Sequence, residues 1–454
     1  MDAEILQLLN QYDVPVPRYT SYPTVPYWEP HTITPERWLE SVENAFTSGR
    51  GEVSIYVHLP YCENLCTFCA CNKRITKNHG VEPRYIAAVV QEWRRYRQHF
   101  SGPPVIREIH LGGGTPTFFS PANLKLLLGE LVKDSVLPND HEFGVEVHPN
   151  YTTEAHLVAL REAGCNRISV GVQDFDPEVQ FVINRMQSFE QTEQVVAWAR
   201  RLGFESVNVD LVYGLPRQTE KSVALTTSYI RRLKPERMAF YSYAHVPWKS
   251  KGQRRYTEHD LPPATEKWKM YHTGRASLLA DGYQPIGMDH FALPHDGLYR
   301  AFREGRMHRN FMGYTTTNTK LLIGLGCSSI SDSGSAFVQN EKDVETYIET
   351  IEHGRRPFTS GHWLTPEDVR LRKHILDLMC RGFTEWDESG LDRDFAESVA
   401  GKIARFEQDG FLGKSGNQIR VTARGELFIR NMASAFDARL FRKTHASATF
   451  SRAI

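Results

Sequence analysis

Short runs of β-branched and aromatic residues recur along the first half of the chain, separated by leucine- and alanine-rich stretches whose apolar positions repeat at helical spacing. Six such runs predict strands: Val53 to Leu59 (VSIYVHL), Ile106 to Leu111 (IREIHL), Glu142 to His148 (EFGVEVH), Arg167 to Gln173 (RISVGVQ), Ser206 to Val212 (SVNVDLV) and Met238 to Tyr243 (MAFYSY). The segments between them predict amphipathic helices over Ser120 to Val136, with Ser120 as N-cap, over Thr153 to Ala163, closed by Gly164, and over Glu190 to Leu202, ending at Gly203. Strand and helix in strict alternation is the pattern of a parallel sheet wound with crossover helices. An open doubly wound sheet and a barrel both satisfy it.

The strand ends carry further information, because chemistry in a β/α barrel collects where strands leave the sheet. The first strand runs into a cysteine loop, the second into Gly112-Gly113-Gly114-Thr115-Pro116-Thr117, and the third carries Glu146. The fourth ends at Gln173, the fifth carries Asp210 and the sixth ends at Ala244. Tyr56 and His58 alternate with Ile55 and Val57, so both can face one side of the first strand.

After the sixth strand, Pro247 to Gly287 reads as loop and then helix, and Leu321 to Ser331 (LLIGLGCSSIS) as a strand opening into a second glycine-rich turn. Composition shifts to proline, threonine and serine over Pro357 to Pro366, which predicts a boundary. The expected organisation is an N-terminal arm over 1–50, a catalytic domain over 51–360 and a mostly helical C-terminal domain over 361–454. Two or three helices, a hairpin over Gly410 to Thr422 turning at Ser415 to Asn417 and a last helix give that final domain a winged-helix order. It has no strongly basic face, so a lid or packing role is expected rather than DNA binding. Arg94-Arg95-Tyr96-Arg97 reads as the solvated side of a helix.

Composition narrows the function. The chain has 454 residues with 54 Lys+Arg against 54 Asp+Glu, and so no overall field to hold nucleic acid or an acidic membrane. No apolar run approaches the ~18 residues that span a bilayer. The opening MDAEILQLLNQYDVP lacks the basic region of a secretory signal, and a cytoplasmic location is expected.

Four of the seven cysteines, Cys62, Cys66, Cys69 and Cys71, fall within ten residues, whereas Cys165, Cys327 and Cys380 stand alone and read as core thiols. Cys62-x3-Cys66-x2-Cys69 can ligate three irons of a cubane and leave the fourth iron open to substrate. A closed zinc site using Cys71 as fourth ligand is the alternative, although paired CxxC spacing is usual there.

CxxxCxxC after a first strand, with the aromatic Phe68 before its last cysteine, followed by GGGTP and the strand-borne Glu146, resembles the radical S-adenosylmethionine (SAM) enzymes. PRYTSYPT at Pro17 to Thr24, YVHLPYC at Tyr56 to Cys62, CACNK at Cys69 to Lys73, GVQDF at Gly171 to Phe175, INRMQ at Ile183 to Gln187, DLVYGLP at Asp210 to Pro216 and NFMGYTT at Asn310 to Thr316 resemble, over essentially the whole chain, the oxygen-independent coproporphyrinogen III oxidase family. The resemblance implies a partial, three-quarter parallel β/α barrel and a [4Fe-4S] cluster with two SAM molecules per chain. It further implies oxidative decarboxylation of two propionates of coproporphyrinogen III to vinyl groups, giving protoporphyrinogen IX in haem synthesis. A haem chaperone of the same superfamily and haem-modifying or methyl-transferring radical SAM relatives are the alternatives. The chaperone typically lacks the equivalents of Cys71 and of the PRYTSYP arm.

By the same resemblance Cys62, Cys66 and Cys69 would ligate the cluster. Cys71, Tyr56 and His58 are the candidate catalytic residues. Tyr56, Gly113, Glu146 and Ile330 would contact one SAM, and Phe68, Gly114, Thr115, Gln173, Arg185, Asp210 and Ala244 the other. Arg18 and Arg309 are candidates for the substrate carboxylates; Asp289, His290 and Tyr314 match the family without an assigned step. A reductant such as flavodoxin or ferredoxin and a monomeric state are expected.

Overall fold

In a computed structural model of the protein, residues 3–30, 32–442 and 450–453 are described. The six expected strands are present as β1 (Glu52–Leu59), β2 (Val105–Gly113), β3 (Glu142–Val147), β4 (Arg167–Gln173), β5 (Ser206–Tyr213) and β6 (Arg237–Ser242). A seventh, β7 (Leu322–Leu325), pairs in parallel with β1, so the parallel part of the sheet reads β7-β1-β2-β3-β4-β5-β6. That order settles the choice left open by the alternation. A doubly wound sheet reverses its order at a switch point; here β1 to β6 follow one another without reversal. Right-handed crossovers then place every connecting helix on the same side, and the sheet curves into a partial barrel.

Antiparallel strands extend both margins. Ile330–Asp332, Ala336–Asn340, Phe358–Trp363 and Glu29–Pro30 continue beyond β7, and His290–Ala292 and Gln284–Ile286 continue beyond β6. The proline- and threonine-rich stretch near Pro357 therefore carries a strand of the main sheet, and the next helix, Pro366–Arg381, starts directly after it.

Alternation along each strand divides the barrel. Val53, Ile55, Val57 and Leu59 of β1, Ile109 and Leu111 of β2, Phe143 and Val145 of β3 and Ile168 and Val170 of β4 are all buried with the helices in one apolar cluster. Helix Pro121–Val132 shows why those segments pack. Ser120 accepts a hydrogen bond from the Asn123 amide, Pro121 occupies the first turn, and Leu124, Leu127, Leu128 and Leu131 form one buried stripe. The polar residues of the same strands and of β5, among them Glu108, His110, Glu142, Arg167 and Asp210, point to the other face and fill the barrel.

A second core joins the two ends of the chain. Leu8, Leu9, Tyr12, Val16, Tyr19 and Tyr22 pack with Leu371, Ile375, Leu378, Phe395 and Phe428. Tyr19 donates to Asp437 at 3.0 Å, and the Tyr22 hydroxyl accepts from the Ala438 amide at 3.1 Å. The C-terminal hairpin is present as Leu412–Ser415 and Gln418–Val421, turning through Gly416 at φ +60°. The run Arg94 to Arg97 is only partly surface: Tyr96 is fully buried and accepts from Trp38 Nε1 at 3.1 Å.

Candidate active site

The loop after β1 is held on three sides. Tyr61–Cys62 pairs with Arg74–Ile75, which brings the outgoing and returning chain together. The Gly114 and Thr115 amides donate to Leu59 O at 2.8 Å and Tyr61 O at 2.9 Å, tying the loop to the end of β2. Ser250 donates to Cys69 O at 2.8 Å, and Gln253 Nε2 to Phe68 O at 2.7 Å and Ala244 O at 3.2 Å, tying it to the segment after β6.

All seven cysteines are free thiols, and Cys62, Cys66, Cys69 and Cys71 line one cavity of about 610 Å³. Thr115 Oγ1 lies 3.4 Å from Cys62 Sγ and Arg185 Nη1 lies 3.5 Å from Cys66 Sγ. Burial pushes the Cys62 thiol up to about 11, with Thr115 opposing it. Cys69 is drawn below its ordinary value, chiefly by its hydrogen bond with Cys71, whose own thiol is raised by the same bond. Among the described residues no three His, Cys, Asp or Glu side chains converge as ligands of a single ion. Three free thiols around the mouth of a roomy cavity suit a polynuclear cluster bound through one loop.

The same cavity is lined by Phe68, Gly113, Gly114, Thr115, Glu146, Gln173, Arg185 and Asp210. The glycines are needed where they stand. A Cβ on Gly113, at φ +111°, would lie 2.6 Å from the His58 ring, and one on Gly114 would lie 2.6 Å from the Pro60 carbonyl. Asp210 accepts from Ser169 at 2.9 Å and Asn208 at 2.8 Å; burial raises its carboxyl, with Glu146 adding to the effect. Arg185 donates to Gly171 O at 2.5 Å and leaves Nε buried without a partner.

Glu146 ends a polar ladder that crosses the barrel interior. Arg237 binds Asp296 at 2.9 Å and Glu142 at 3.1 Å; Glu142 also pairs with Arg167 at 2.9 Å. Arg167 Nη2 lies 3.3 Å from His110 Nδ1, and His110 Nε2 lies 3.1 Å from Glu146. A guanidinium only donates, so Nδ1 accepts and Nε2 carries the proton offered to Glu146. Burial alone would raise the Glu146 carboxyl, but His110 and the Gly113 amide outweigh it and hold it below the ordinary range. Gly144 makes the ladder possible, since a Cβ there would lie 2.5 Å from Arg167 Nη2.

Tyr56 and His58 stand beside the cavity rather than in its lining. His58 Nε2 donates to Asn72 O at 2.9 Å, so its Nδ1 accepts from the Tyr56 hydroxyl at 3.1 Å, while the Tyr56 ring stacks on His110. Burial lowers His58, which favours the neutral ring that this pattern requires. Ala244 touches the site through Gln253. Ile330 lies two strands from β1, its backbone against Gly324, which is in register with Tyr56. Cys71 is exposed, whereas Cys165, Cys327 and Cys380 are buried as core thiols.

The cavity also contains His148, Ser169 and Tyr241, and its supports include His110 and Arg167, none of them singled out from sequence. Their signal was a polar residue at every second position of otherwise apolar strands. Behind Tyr241 lies a group of buried and half-buried cations. Arg18 Nη2 donates to Ser242 O at 2.5 Å, Arg309 Nη2 donates to Arg18 O at 3.3 Å, and the Arg309 guanidinium lies 4.6 Å above the Tyr314 ring. Arg18 Nε and Arg309 Nε and Nη1 are buried without hydrogen-bond partners. Burial draws Lys267 down to about 8 and Arg430 down to about 9, and Arg18 deepens both effects. His290 Nδ1 lies 2.7 Å from Asp289 and packs its ring edge-on to Tyr241 and Tyr314.

Comparison with known proteins agrees with this geometry. Residues 56–230 match the radical SAM superfamily. An oxygen-independent coproporphyrinogen III oxidase of Pseudomonas aeruginosa is 39% identical over 437 residues, covering 95% of each chain. One of Escherichia coli K12 is 37% identical over 454 residues, covering 99% of this chain and 98% of the relative. The solved structure of coproporphyrinogen III oxidase from Escherichia coli, described as a radical SAM enzyme, superposes with a TM-score of 0.88 at 36% identity, over 96% of this chain and 99% of that one. A loop of free cysteines at the mouth of a β/α barrel, matched over nearly its full length by such relatives, places the chain in the oxygen-independent coproporphyrinogen III oxidase family of radical SAM enzymes.

Proposed function

We propose that the protein removes two propionate carboxyls of coproporphyrinogen III by oxidative decarboxylation without oxygen, leaving vinyl groups and giving protoporphyrinogen IX. The observation that carries this reading is the pairing of the open cysteine loop with buried arginines that have unpartnered nitrogens behind Tyr241. Buried guanidinium nitrogens without hydrogen-bond partners are costly, and a substrate with four carboxylates offsets that cost when it binds.

When bound, a [4Fe-4S] cluster with SAM would supply the radical chemistry by which a propionate side chain loses CO2 and becomes a vinyl group. Cys62, Cys66 and Cys69 hold the cluster. Glu146, kept ionised by His110, would accept from the ammonium of a bound SAM. Gly113 lets the backbone come close, and Tyr56 and Ile330 border the same ligand. Phe68, Gly114, Thr115, Gln173, Arg185, Asp210 and Ala244 would hold a second SAM. There Asp210 would accept from ribose hydroxyls, and Arg185 would pair with a carboxylate. Arg18 and Arg309 bind substrate carboxylates. Cys71, at the mouth, and His58, which fixes Tyr56 and Asn72, act on the reaction without ligating the cluster. The enzyme works as a monomer in the cytoplasm, reduced by a protein such as flavodoxin or ferredoxin.

The test is an anaerobic incubation of reconstituted protein with SAM, a reductant, an electron-accepting extract and coproporphyrinogen III, with porphyrins read by mass spectrometry. SAM-dependent loss of two CO2 is the expected result. An intact cluster with no decarboxylation, together with tight haem binding, would move the assignment to a haem carrier.

A further inference from the structure

The chain balances its charge overall, yet Lys249 to Arg255 reads KSKGQRR, four cations and no acid within seven residues. This segment is the one that clasps the cysteine loop. Ser250 and Gln253 point inward to Cys69 O and Phe68 O, and Gly252 packs on Leu65. Lys249, Lys251, Arg254 and Arg255 are left exposed. Among the described residues, no ion pair joins any of the four to a carboxylate. Lys342, whose carbonyl accepts from Asn72 just beyond Cys71, adds a fifth exposed cation. Lys249 is held below its ordinary value by partial burial and by the charge of Lys342, as expected where like charges gather uncompensated.

Large apolar side chains are exposed among these cations. Leu65 sits between Cys62 and Cys66 and is 37% exposed; Trp248 is 47% exposed and Phe181 65%. Arg255 lies 6.0 Å from the Phe181 ring, and the Phe181 segment is fastened to the loop by Thr67 N to Ile183 O at 2.9 Å and by Asn184 Nδ2 to Leu65 O at 2.8 Å. An apolar centre rimmed by unpaired charge of one sign is the composition of a transient protein interface steered by electrostatics.

We propose that Leu65, Phe181 and Trp248, ringed by Lys249, Lys251, Arg254 and Arg255, form the docking surface for an acidic protein carrying a low-potential one-electron centre. The surface stands directly outside the residues that flank Cys66 and Cys69. A partner seated on it delivers one electron to the cluster, with its own centre oxidised by one electron and no bond made or broken. The proposal rests on the cluster being held by that loop.

The test uses the full chain with its cluster, and a purified acidic flavodoxin as probe. Lys251→Glu with Arg255→Glu reverses two exposed charges whose side chains touch none of the cysteines. Binding of oxidised flavodoxin is followed by calorimetry at low and high salt, and cluster reduction by reduced flavodoxin or by dithionite is followed by bleaching of visible absorbance. The expected result is about tenfold slower reduction by flavodoxin, with weaker salt dependence and an unchanged dithionite rate. Lys251→Gln with Arg255→Gln should fall between. Equal flavodoxin affinity and rate in wild type and variants overturns the proposal, as does tighter binding of a short DNA duplex than of flavodoxin to the wild type. A chain that takes up no iron fails the cluster assignment instead, and flavodoxin binding to that iron-free chain still decides the docking surface.

Discussion

Replacing Arg237 by methionine removes the central cation of the barrel's polar ladder while keeping most of its volume. Arg237 is 3% exposed and is shared by Asp296, which is buried, and Glu142, which is half-buried. Burial raises the Glu142 carboxyl, but Arg237 and then Arg167 overcome it and hold the group at about 2 against an ordinary value of 4.5. A carboxylate held that far down contributes roughly 3 kcal/mol to folding. The contribution is fully present above the unfolded value, near 4.5, and is lost as pH falls toward the folded value of about 2. Without Arg237, burial dominates and the Glu142 carboxyl rises, so the favourable contribution at neutral pH becomes a cost. Leaving a buried ion without its partner costs about 3–5 kcal/mol. At pH 7 the variant should be destabilised by that amount, and the deficit should shrink between about pH 5 and pH 3 as Glu142 takes up a proton. Thermal melts of both chains across this range measure it. A deficit of the same size at pH 4 and pH 7 would refute the ionic account and leave lost packing as the cause.

Four further variants have expected outcomes. Cys62→Ser should lose both iron uptake and SAM cleavage, measured by iron content and by 5'-deoxyadenosine release; normal iron with normal cleavage would remove Cys62 from the ligand set. Gly114→Ala, whose Cβ would lie 2.6 Å from the Pro60 carbonyl, should disturb the cysteine loop and lower iron uptake, whereas Gly129→Ala, in a helix with nothing within 4 Å, should stabilise the chain by about 1 kcal/mol. Gly144→Ala should displace Arg167 from His110 and raise the pH at which Glu146 protonates, detectable by carboxyl infrared titration; an unmoved titration would show that His110 keeps its orientation without Arg167.

The parallel strands were legible because their apolar residues must face the helices, and each observed strand begins or ends within two residues of its expected limits. The helix ends were legible for a local reason too: Ser120 and Thr153 accept from the third amide of their helices, and Gly164 and Gly203 follow helix ends at positive φ. Strand order was not legible, since alternation specifies the face of a strand and not its neighbour. The place of β7 beside β1, a pairing between residues far apart in the chain, is the clearest case. The antiparallel strands beyond β7 were missed because each is short and bounded by residues that read as loop. The cysteine loop was the opposite case, a local spacing whose meaning survives without tertiary context.

The residues hardest to read, His110, Glu142, Arg167 and Arg237, are those that tie the stability of the barrel to the chemistry at its mouth. Each occupies a strand position where an apolar side chain would fill the barrel at lower desolvation cost. An apolar interior would close the space behind Glu146 and leave that carboxylate to the effect of burial, which raises it. The ladder instead conducts opposing charge from Asp296 to the cavity wall, one ion pair or hydrogen bond at a time, and ends by presenting an ionised acceptor beside Gly113. Interior polarity that an apolar floor would avoid is thus the same feature that sets the charge of the site at the mouth. The stability and the chemistry of this barrel should therefore respond together to a substitution anywhere along that line.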